Sequence, residues 1–451
     1  MHVLSDLVNK HITVVGLGLT GRSCVRFLKS QQRDWNITIA AMDSRDNVKP
    51  ESDIECCLGS WDETLLSKTD VIVLSPGIAK STPHIAAAIE AGKHVIGDIE
   101  LFALYLNAHS PRQSVVGVTG SNGKSTVVTL IHEIAQAAGL HSALGGNIGT
   151  PVLDLISPDI DLYILELSSF QLETTNSLVL ESACILNVSE DHMDRYSSFD
   201  DYVKAKQKIY AQTKRAVYFQ EDTNTYPLAT SHVKGMGEHA QAISMSTKST
   251  GWSLSSDGRS VCLQGEVLLS IDETKLAGTH NLLNIQAALA ICLDVGIPLT
   301  VAVQAVKQFN GLAHRCQKVA NIHGVTWIND SKATNAGATL AAIKGLLPTL
   351  QGKLYLLVGG DAKGADVSLL KPAFSSDVES VFCFGQDAAL FTALAPNVTQ
   401  VDSMNDAIRV AASIATEGDV VLLSPACASI DMFDSYIHRG ECFVEAVEAV
   451  A

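Results

Sequence analysis

The sequence lacks three features that would each have assigned it to a class of protein. Its 451 residues contain no run of 18 or more apolar residues, and the opening segment MHVLSDLVNK has no basic start followed by an apolar core. We therefore expect neither membrane insertion nor a signal peptide. None of the ten cysteines forms a C-x-x-C pair, which argues against a disulfide framework or a zinc site. These absences predict a cytoplasmic protein in a reducing compartment.

The chain also lacks the clustered positive charge of a nucleic-acid-binding protein. It has 32 Lys and Arg against 48 Asp and Glu, for a net charge of −16. Because binding to nucleic acid depends on neutralising phosphates, we expect no nucleic-acid partner, and any anionic ligand must meet locally placed positive groups. A content of 47% hydrophobic and 18% charged residues is that of a globular protein, and the length suggests two to four domains of about 100 to 200 residues each.

Apolar strands alternate with helical stretches along the chain, which predicts the α/β class with mostly parallel sheets. The predicted strands lie in ITVVGLG, ITIAAMD, DVIVLSPGI, HVIGDIE, SVVGVTG, DLYILE, ACILNV, GVTWINDSKATN, KLYLLVGGD, SVFCFG and DVVLLSPACAS. Polar sequence at residues 107–113 and the segment FNGLAHR mark boundaries, and residues 220–275 are hairpin-like. We predict three domains, at residues 1–97, 98–311 and 312–451.

A glycine-rich turn, GVTGSNGKST at residues 117–126, follows one of these strands and precedes a helix. The general phosphate-loop pattern G-x-x-x-x-G-K-[ST] asks for glycine where this chain has Val118. Strand, turn and helix are nevertheless the parts that a phosphate site needs, since helix N–H groups, a lysine and a hydroxyl can hold a phosphate and Mg²⁺. A structural turn with an exposed lysine is the alternative. The predicted phosphate ligands are Gly120, Ser121, Asn122, Gly123, Lys124, Ser125 and Thr126.

An acid and an imidazole follow two neighbouring predicted strands. Glu166 ends DLYILE, and Asp191 and His192 follow ACILNV. Ligands of open parallel sheets lie beyond the carboxyl ends of the strands, so we expect these groups to share a crevice with Lys124 and to bind a metal. Taken alone, Glu166 would be a solvated or capping acid and His192 an ordinary surface histidine.

The segment GLGLTG at residues 16–21 matches the dinucleotide fingerprint G-x-G-x-x-G, and Asp43 ends the next strand. Alone, this pattern indicates an NAD-dependent dehydrogenase; beside a second nucleotide loop, it suits any nucleotide diphosphate. Toward the end of the chain, NDSKATN and GGDAKGAD place Lys332 and Lys363 after apolar strands. These two lysines either bind an anion or are simply solvated.

In combination these motifs resemble the Mur ligases of peptidoglycan synthesis, and most of all the member that adds D-glutamate to UDP-N-acetylmuramoyl-L-alanine. The likeness covers nearly the whole chain in the family's order. It is carried by VVGLGLTGRSCV, SPGIA, GDIELF, TGSNGKST, GGNIG, LELSSFQLETT, ILNVSEDHMDRY, GTHNLLNIQAALA, GLAHR, WINDSKATN, LLVGGD, LLSPACAS and RGECF. T-G-x-N-G-K-[ST] is this family's form of the phosphate loop, which accounts for Val118.

The resemblance implies an ATP-dependent amide-bond ligase that works as a monomer through an acyl phosphate, with ATP and two Mg²⁺ ions as cofactors. Its domains would be an N-terminal Rossmann-like domain for the UDP-sugar, a central P-loop ATPase-like domain and a C-terminal Rossmann-like domain for the amino acid. The implied UDP-sugar ligands are Leu19, Thr20, Asp43, Ser44, Arg45 and Asn147. The implied ATP ligands beyond the phosphate loop are Asn284, Arg315 and Asp330, which would contact the nucleotide across the domain junction.

The resemblance also implies roles for residues that the pattern of the sequence leaves uncertain. The implied metal ligands are Ser125, Glu166, His192 and Lys206, the last as a carbamate formed with CO₂. On pattern alone, Lys206 is a solvated lysine between Lys204 and Lys208. Lys124, His192 and Lys206 would be catalytic. The implied D-glutamate ligands are Thr334, Lys363, Ser429 and Tyr436, where Tyr436 replaces the phenylalanine of a relative.

Two other functions share part of this pattern. Folylpolyglutamate ligases have a similar phosphate loop and mechanism, but they give no reason for a UDP site or for LSPACAS. A P-loop ATPase that is not a ligase would hydrolyse ATP without an amine acceptor. Within the Mur ligases, the diaminopimelate-adding enzyme often carries Asn-Pro-Arg, which is absent from this sequence.

Overall fold

The computed structural model describes residues 4–109, 112–189, 195–227, 239–276 and 278–450. The chain divides into two compact units. The first comprises Met1–Gly258, Cys262–Leu268 and Asn284–Val306, and the second comprises Arg259–Val261, Leu269–Leu283 and Lys307–Ala451. The first unit contains two separate parallel sheets and the second contains a third large sheet, which agrees with the predicted α/β class.

The first sheet is formed by the N-terminal hundred residues. Its strands are β1 (His11–Val15), β2 (Thr38–Asp43), β3 (Glu55–Leu58), β4 (Val71–Leu74) and β5 (His94–Ile96), and its helices are α1 (Leu19–Trp35), α2 (Glu63–Lys68), α3 (Pro83–Glu90) and α4 (Asp98–His109). All strands run parallel in the order β3-β2-β1-β4-β5. The chain leaves β1 toward one edge and returns to β4 on its other side, so the loop after β1 lies at the switch point where such sheets bind ligands.

One predicted strand is shorter than its pattern suggested. HVIGDIE was predicted as a single strand, but β5 ends at Ile96 and α4 begins at Asp98. Acidic residues in the first turn favour a helix start because they face the positive end of the helix dipole. The close approach of Gly97 to Thr174, whose Oγ1 would lie 2.3 Å from an added Cβ, explains the glycine between the two elements.

The second sheet lies in the same unit and has six parallel strands. They are β6 (Ser114–Thr119), β7 (Ser142–Gly146), β8 (Leu162–Glu166), β9 (Leu180–Ile185), β10 (Thr213–Phe219) and β11 (Ala240–Ile243), with helices α5 (Lys124–Ala137), α6 (Ser169–Glu173) and α7 (Phe199–Gln207). Their order is β11-β10-β9-β6-β8-β7. The carboxyl ends of β6, β8 and β9 therefore adjoin one another, as the predicted crevice requires.

The segment predicted as hairpin-like contains a small three-stranded sheet among its described residues and is followed by two helices. These elements are β12 (Trp252–Leu254), β13 (Ser260–Leu263), β14 (Glu266–Ser270), α8 (His280–Asp294) and α9 (Leu299–Gln308). β13 and β14 pair in one small sheet through the two-residue turn Gln264–Gly265, where both residues have positive φ, a turn typical of hairpins. β11, which also lies in this segment, instead pairs in parallel with β10.

The third large sheet belongs to the second unit. Its strands are β15 (Gln317–Ile322), β16 (Val325–Asn329), β17 (Leu354–Gly359), β18 (Ser380–Phe384), β19 (Val398–Gln400) and β20 (Val420–Leu423), with helices α10 (Ala336–Leu346), α11 (Lys371–Ser376), α12 (Ala388–Thr392), α13 (Met404–Ile414) and α14 (Tyr436–Glu448). The order is β15-β16-β20-β17-β18-β19, and only the edge strand β15 is antiparallel.

Central strands of each sheet are buried along their whole length. β4, β8 and β17 have no exposed residue, as expected for parallel strands covered by helices on both faces.

Each of the ten cysteines is a free thiol. In the part of the chain that the structure describes, no helix combines the length and apolar character needed to cross a bilayer.

Candidate active site

The phosphate loop joins β6 to α5 and depends on two glycines with positive φ. Gly120 has φ 147° and Gly123 has φ 88°, conformations that side chains rarely adopt. A Cβ on Gly123 would lie 2.4 Å from Oδ1 of Asn284, so glycine is needed for the loop and this predicted ATP ligand to lie side by side. No side chain caps the N-terminus of α5, which suits an anion at the first helical N–H groups.

Two lysine side chains meet at one carbonyl of this loop. Nζ of Lys124 donates to the carbonyl oxygens of Gly120 (2.7 Å) and Ser121 (3.1 Å). Nζ of Lys206 also donates to Gly120 O (2.9 Å) and lies 4.6 Å from the ring centroid of Tyr202. Lys206 is only 2% exposed, so the interpretation of this side chain as a solvated lysine is wrong.

Glu166 links two further predicted residues through its buried carboxylate. One oxygen accepts a hydrogen bond from Ser125 Oγ (2.7 Å) and the other from Asn147 Nδ2 (2.8 Å). A hydroxyl beside a carboxylate provides the hard oxygen ligands that Mg²⁺ prefers, so Ser125 and Glu166 fit the predicted metal. The interpretation of Glu166 as a solvated acid is also wrong, since the residue is 3% exposed.

The other predicted metal ligand of this loop region, His192, lies outside the described residues. Within the described ranges, no three His, Cys, Asp or Glu side chains gather as a metal centre. The structure therefore brings Ser125, Glu166 and Lys206 to the ends of β6 and β8, and the metal itself stays a prediction.

A side-chain clamp that the sequence patterns did not predict holds the phosphate loop. Asn187 follows β9, and its Oδ1 accepts from Asn122 N (2.9 Å) while its Nδ2 donates to Asn122 O (3.0 Å). The hydroxyls of Ser121 and Tyr202 lie 3.2 Å apart. A polar residue just beyond a buried strand, at the same sheet edge as Lys124, is the signal that could have identified Asn187.

The loop after β1 carries the three glycines of the fingerprint, and each has a different physical role. Gly16 has φ 93°, as a tight turn requires. A Cβ on Gly21 would lie 1.8 Å from Gly16 O, whereas nothing lies within 4 Å of a Cβ built on Gly18. Gly18 therefore leaves open space for a ligand beside the start of α1, where Leu19 is 66% exposed and Thr20 follows.

The carboxylate of Asp43 is saturated by hydrogen bonds from its own surroundings. It accepts from Leu17 N (2.7 Å) and from the Arg45 backbone N, Nε and Nη2 (3.0, 2.9 and 2.7 Å). These hydrogen bonds, chiefly those from the Arg45 side chain, hold the pKa of Asp43 well below its usual range. Asp43 therefore ties the glycine loop to the segment of Ser44 and Arg45, whose guanidinium remains largely exposed.

In the second unit, the predicted nucleotide ligand Asp330 follows β16 and is buried. Its carboxylate accepts hydrogen bonds from Ser424 Oγ (2.8 Å) and from Cys316 N (3.1 Å). Burial raises the pKa of Asp330 to about 7. Another predicted nucleotide ligand, Arg315, directly precedes Cys316. The hydrogen bond from Cys316 N to Asp330 therefore joins the two short segments that carry these predicted ligands.

The predicted D-glutamate ligands lie on the loops after β16, β17 and β20 and at the start of α14. The loops after β17 and β20 are joined by hydrogen bonds of 3.0 and 2.9 Å between the backbones of Asp361 and Ala428. This pairing places the segments of Lys363 and Ser429 side by side. Lys363 is exposed and Ser429 is buried.

Tyr436, the position that departs from the relative's phenylalanine, contacts the loop after β16. Nζ of Lys332 lies 4.0 Å from the centroid of its ring, a cation–π contact. Its backbone carbonyl accepts a hydrogen bond from Ser331 Oγ (2.8 Å). The loop that carries Thr334 is thereby attached to the first turn of α14.

Comparison with known proteins assigns this arrangement to a family. Residues 10–97 match the model described as "Mur ligase MurD-like, N-terminal domain", residues 118–292 match "Mur ligase middle domain", and residues 314–427 match "Mur ligase, glutamate ligase domain". The chain belongs to the Mur ligase family, ATP-dependent amide ligases with a three-domain architecture.

Several named relatives are similar to this chain over nearly its full length. A protein of Shewanella violacea named UDP-N-acetylmuramoylalanine--D-glutamate ligase is 46% identical, covering 99% of this chain and 97% of its own. Proteins of the same name from Vibrio cholerae and Haemophilus influenzae are 42% and 44% identical, covering 98% of this chain and 98% and 99% of theirs.

Solved structures share the fold at low sequence identity. The MurF ligase of Thermotoga maritima in complex with ADP has a TM-score of 0.59 at 17% identity, covering 100% of this chain and 97% of its own. The UDP-N-acetylmuramate-alanine ligase MurC of the same organism has a TM-score of 0.58 at 17% identity, covering 98% and 100%. These likenesses support the predicted architecture.

Proposed function

We propose that this Mur ligase joins D-glutamate to UDP-N-acetylmuramoyl-L-alanine in peptidoglycan precursor synthesis, converting ATP to ADP and phosphate. The observation that carries the proposal is the 46% identity, over almost the full length of both chains, to a relative named for this reaction. We also propose the domain boundaries 1–97, 98–311 and 312–451, a cytoplasmic location and a monomeric enzyme.

The proposed reaction has two steps, and the first requires the negative charge of the phosphates to be neutralised. The carboxylate of the L-alanine terminus attacks the γ-phosphate of ATP to form an acyl phosphate, and the neutral amine of D-glutamate then displaces phosphate. Phosphoryl transfer needs mainly positioning and charge neutralisation. Lys124 and the N-terminus of α5 supply both, with Asn284 beside the loop. Asn147, whose side chain donates to Glu166, is our proposed ligand for the reacting end of the UDP-sugar.

Magnesium would be held by Ser125, Glu166 and the predicted ligands His192 and Lys206, and when bound it would neutralise charge on the phosphates. Lys206 would serve as a carbamate, which requires a neutral amine to react with CO₂ and release a proton. Lys206 is buried, and its Nζ shares the carbonyl oxygen of Gly120 with Nζ of Lys124, an environment of the kind in which lysines act as nucleophiles. These observations support carbamylation of Lys206. In the second unit, the proposed nucleotide ligands are Arg315 and Asp330.

For the other substrates, we assign the UDP-sugar to the glycine loop and the Asp43 segment, and the amino acid to the loops around α14. The open space at Gly18 and the exposed guanidinium of Arg45 favour a diphosphate there. Thr334, Lys363, Ser429 and Tyr436 are the proposed D-glutamate ligands, on segments that hydrogen bonds hold together.

We expect phosphate release from ATP to require both UDP-N-acetylmuramoyl-L-alanine and D-glutamate, because the acyl phosphate forms on the first and is consumed by the second. The assay measures phosphate with D-glutamate, L-glutamate, L-lysine or glycine offered in turn. We expect phosphate release when D-glutamate is offered and none with the other three amino acids. Equal turnover without any amino acid would instead support an ATPase, and acceptance of a different amino acid would contradict the proposed substrate.

We expect the glycine loop to bind UDP and not NAD, although it carries the dinucleotide fingerprint. A dinucleotide site uses this acid to accept ribose hydroxyls, but the carboxylate of Asp43 already accepts four hydrogen bonds. Titration with NADH should give no saturable fluorescence transfer, whereas Arg45→Ala should weaken UDP binding. Saturable NADH binding that UDP cannot displace would reverse this assignment.

A further inference from the structure

Arg439, on α14, is a fully buried cation that forms no ion pair with any described carboxylate. It is 0% exposed. Its Nε donates to Ser331 Oγ (3.0 Å), its Nη2 donates to the carbonyls of Ser331 (2.9 Å) and Cys427 (3.1 Å), and its Nη1 donates to Gly359 O (3.3 Å). The guanidinium is thus satisfied by a hydroxyl and three carbonyls, none of which carries a full negative charge.

Those partners lie at the carboxyl ends of three neighbouring strands. Ser331 follows β16, Gly359 ends β17, and Cys427 lies in the loop after β20. The same three loops continue to the proposed D-glutamate ligands. Tyr436, the fourth proposed ligand, lies one helical turn before Arg439 on α14. One side chain therefore connects every segment that carries a proposed D-glutamate ligand.

Burying a cation without a counter-charge costs free energy, because the cation loses its hydration and no negative partner compensates for that loss. Burial lowers the pKa of Arg439 to about 10, so the guanidinium stays protonated at neutral pH. Asp431 acts on it only by charge, at a distance beyond an ion pair. Lys332 and Lys363 add two further cations on the attached loops.

We propose that Arg439 is a positioning residue for D-glutamate, which holds the three loops that carry the proposed ligands in register. The inference rests on the proposed function, since it takes D-glutamate as the ligand of these loops. It assigns no contact between Arg439 and the substrate, and it explains why a planar fork with several donors occupies this position.

The test compares Arg439→Lys and Arg439→Gln in the phosphate-release assay, with all three substrates titrated. Lysine keeps the charge but cannot reach three carbonyls, and glutamine loses the charge. We expect the KM for D-glutamate to rise about tenfold or more in Arg439→Lys and further in Arg439→Gln, with the KM values for ATP and the UDP-sugar changed less than about twofold. Arg409→Lys and Arg409→Gln, at an exposed arginine of α13, are the matched controls and should leave all three constants unchanged.

A purely structural role predicts a different pattern. Lower thermal stability with an unchanged KM for D-glutamate, or an equal rise in all three KM values, would overturn the proposal. Should Arg439→Gln fail to fold, Arg439→Lys and Ser331→Ala, which removes the acceptor of Nε, still decide it through the same selective rise. Failure of the proposed function is recognised separately, because the wild-type enzyme would then release phosphate without D-glutamate.

Discussion

Replacing Lys124 by alanine should abolish ATP-dependent ligation while leaving the fold intact. Loss of a fixed charge at a developing anion typically costs a factor of about 10² to 10³ in turnover, and we expect at least that loss here. The side chain of Lys124 donates hydrogen bonds to two carbonyl oxygens of its own loop. Its removal should therefore change stability by no more than about 1 kcal/mol.

Phosphate release at saturating substrates and a thermal unfolding curve measure the two effects separately. Lys214→Ala is the matched control, because Lys214 lies in the same unit, is largely exposed and forms an ion pair with Glu181 away from the phosphate loop. It should retain wild-type turnover. A Lys124→Ala enzyme with near-normal turnover would contradict the assignment of residues 120–126 as the phosphate loop.

Replacing Lys206 by alanine should remove most ligase activity, by about a hundredfold or more if its carbamate holds Mg²⁺ at the phosphates. A short carboxylic acid such as formate should restore part of that activity, because it replaces the missing anion in the space left by the side chain. Wild-type enzyme supplied with ¹³CO₂ should show a carbamate carbon signal by NMR, and Lys206→Ala should not.

Two lysines close to Lys206 in the sequence provide controls. Lys204 is largely exposed and pairs with Asp200, and the exposed Lys208 donates to the backbone carbonyl of Glu173. Alanine at either position should leave turnover close to that of the wild type. Full activity of Lys206→Ala, or absence of the ¹³C signal at every pH at which the enzyme works, would show that no carbamate is needed.

The phosphate loop was predictable because its information is local. Glycines, a lysine and hydroxyls within ten residues, between an apolar strand and an amphipathic helix, define a loop whatever surrounds it. The opposite holds for the clamp made by Asn187, which pairs with Asn122 across 65 residues of sequence. No local sequence pattern near either asparagine predicts the contact. The two residues meet because they follow the ends of neighbouring strands.

Local patterns likewise predicted the α/β class with mostly parallel sheets and the segments that carry the candidate ligands, because strand and helix periodicity and turn chemistry are properties of neighbouring residues. The tertiary structure decided which of the lysines in FDDYVKAKQKIY is buried, which hydroxyl meets Glu166, and that Arg439 joins three loops. Ser125 and Glu166 are 41 residues apart, Gly120 and Lys206 are 86, and Ser331 and Arg439 are 108. Such pairs meet only once parallel strands align their carboxyl ends, since strand order determines which distant loops become neighbours.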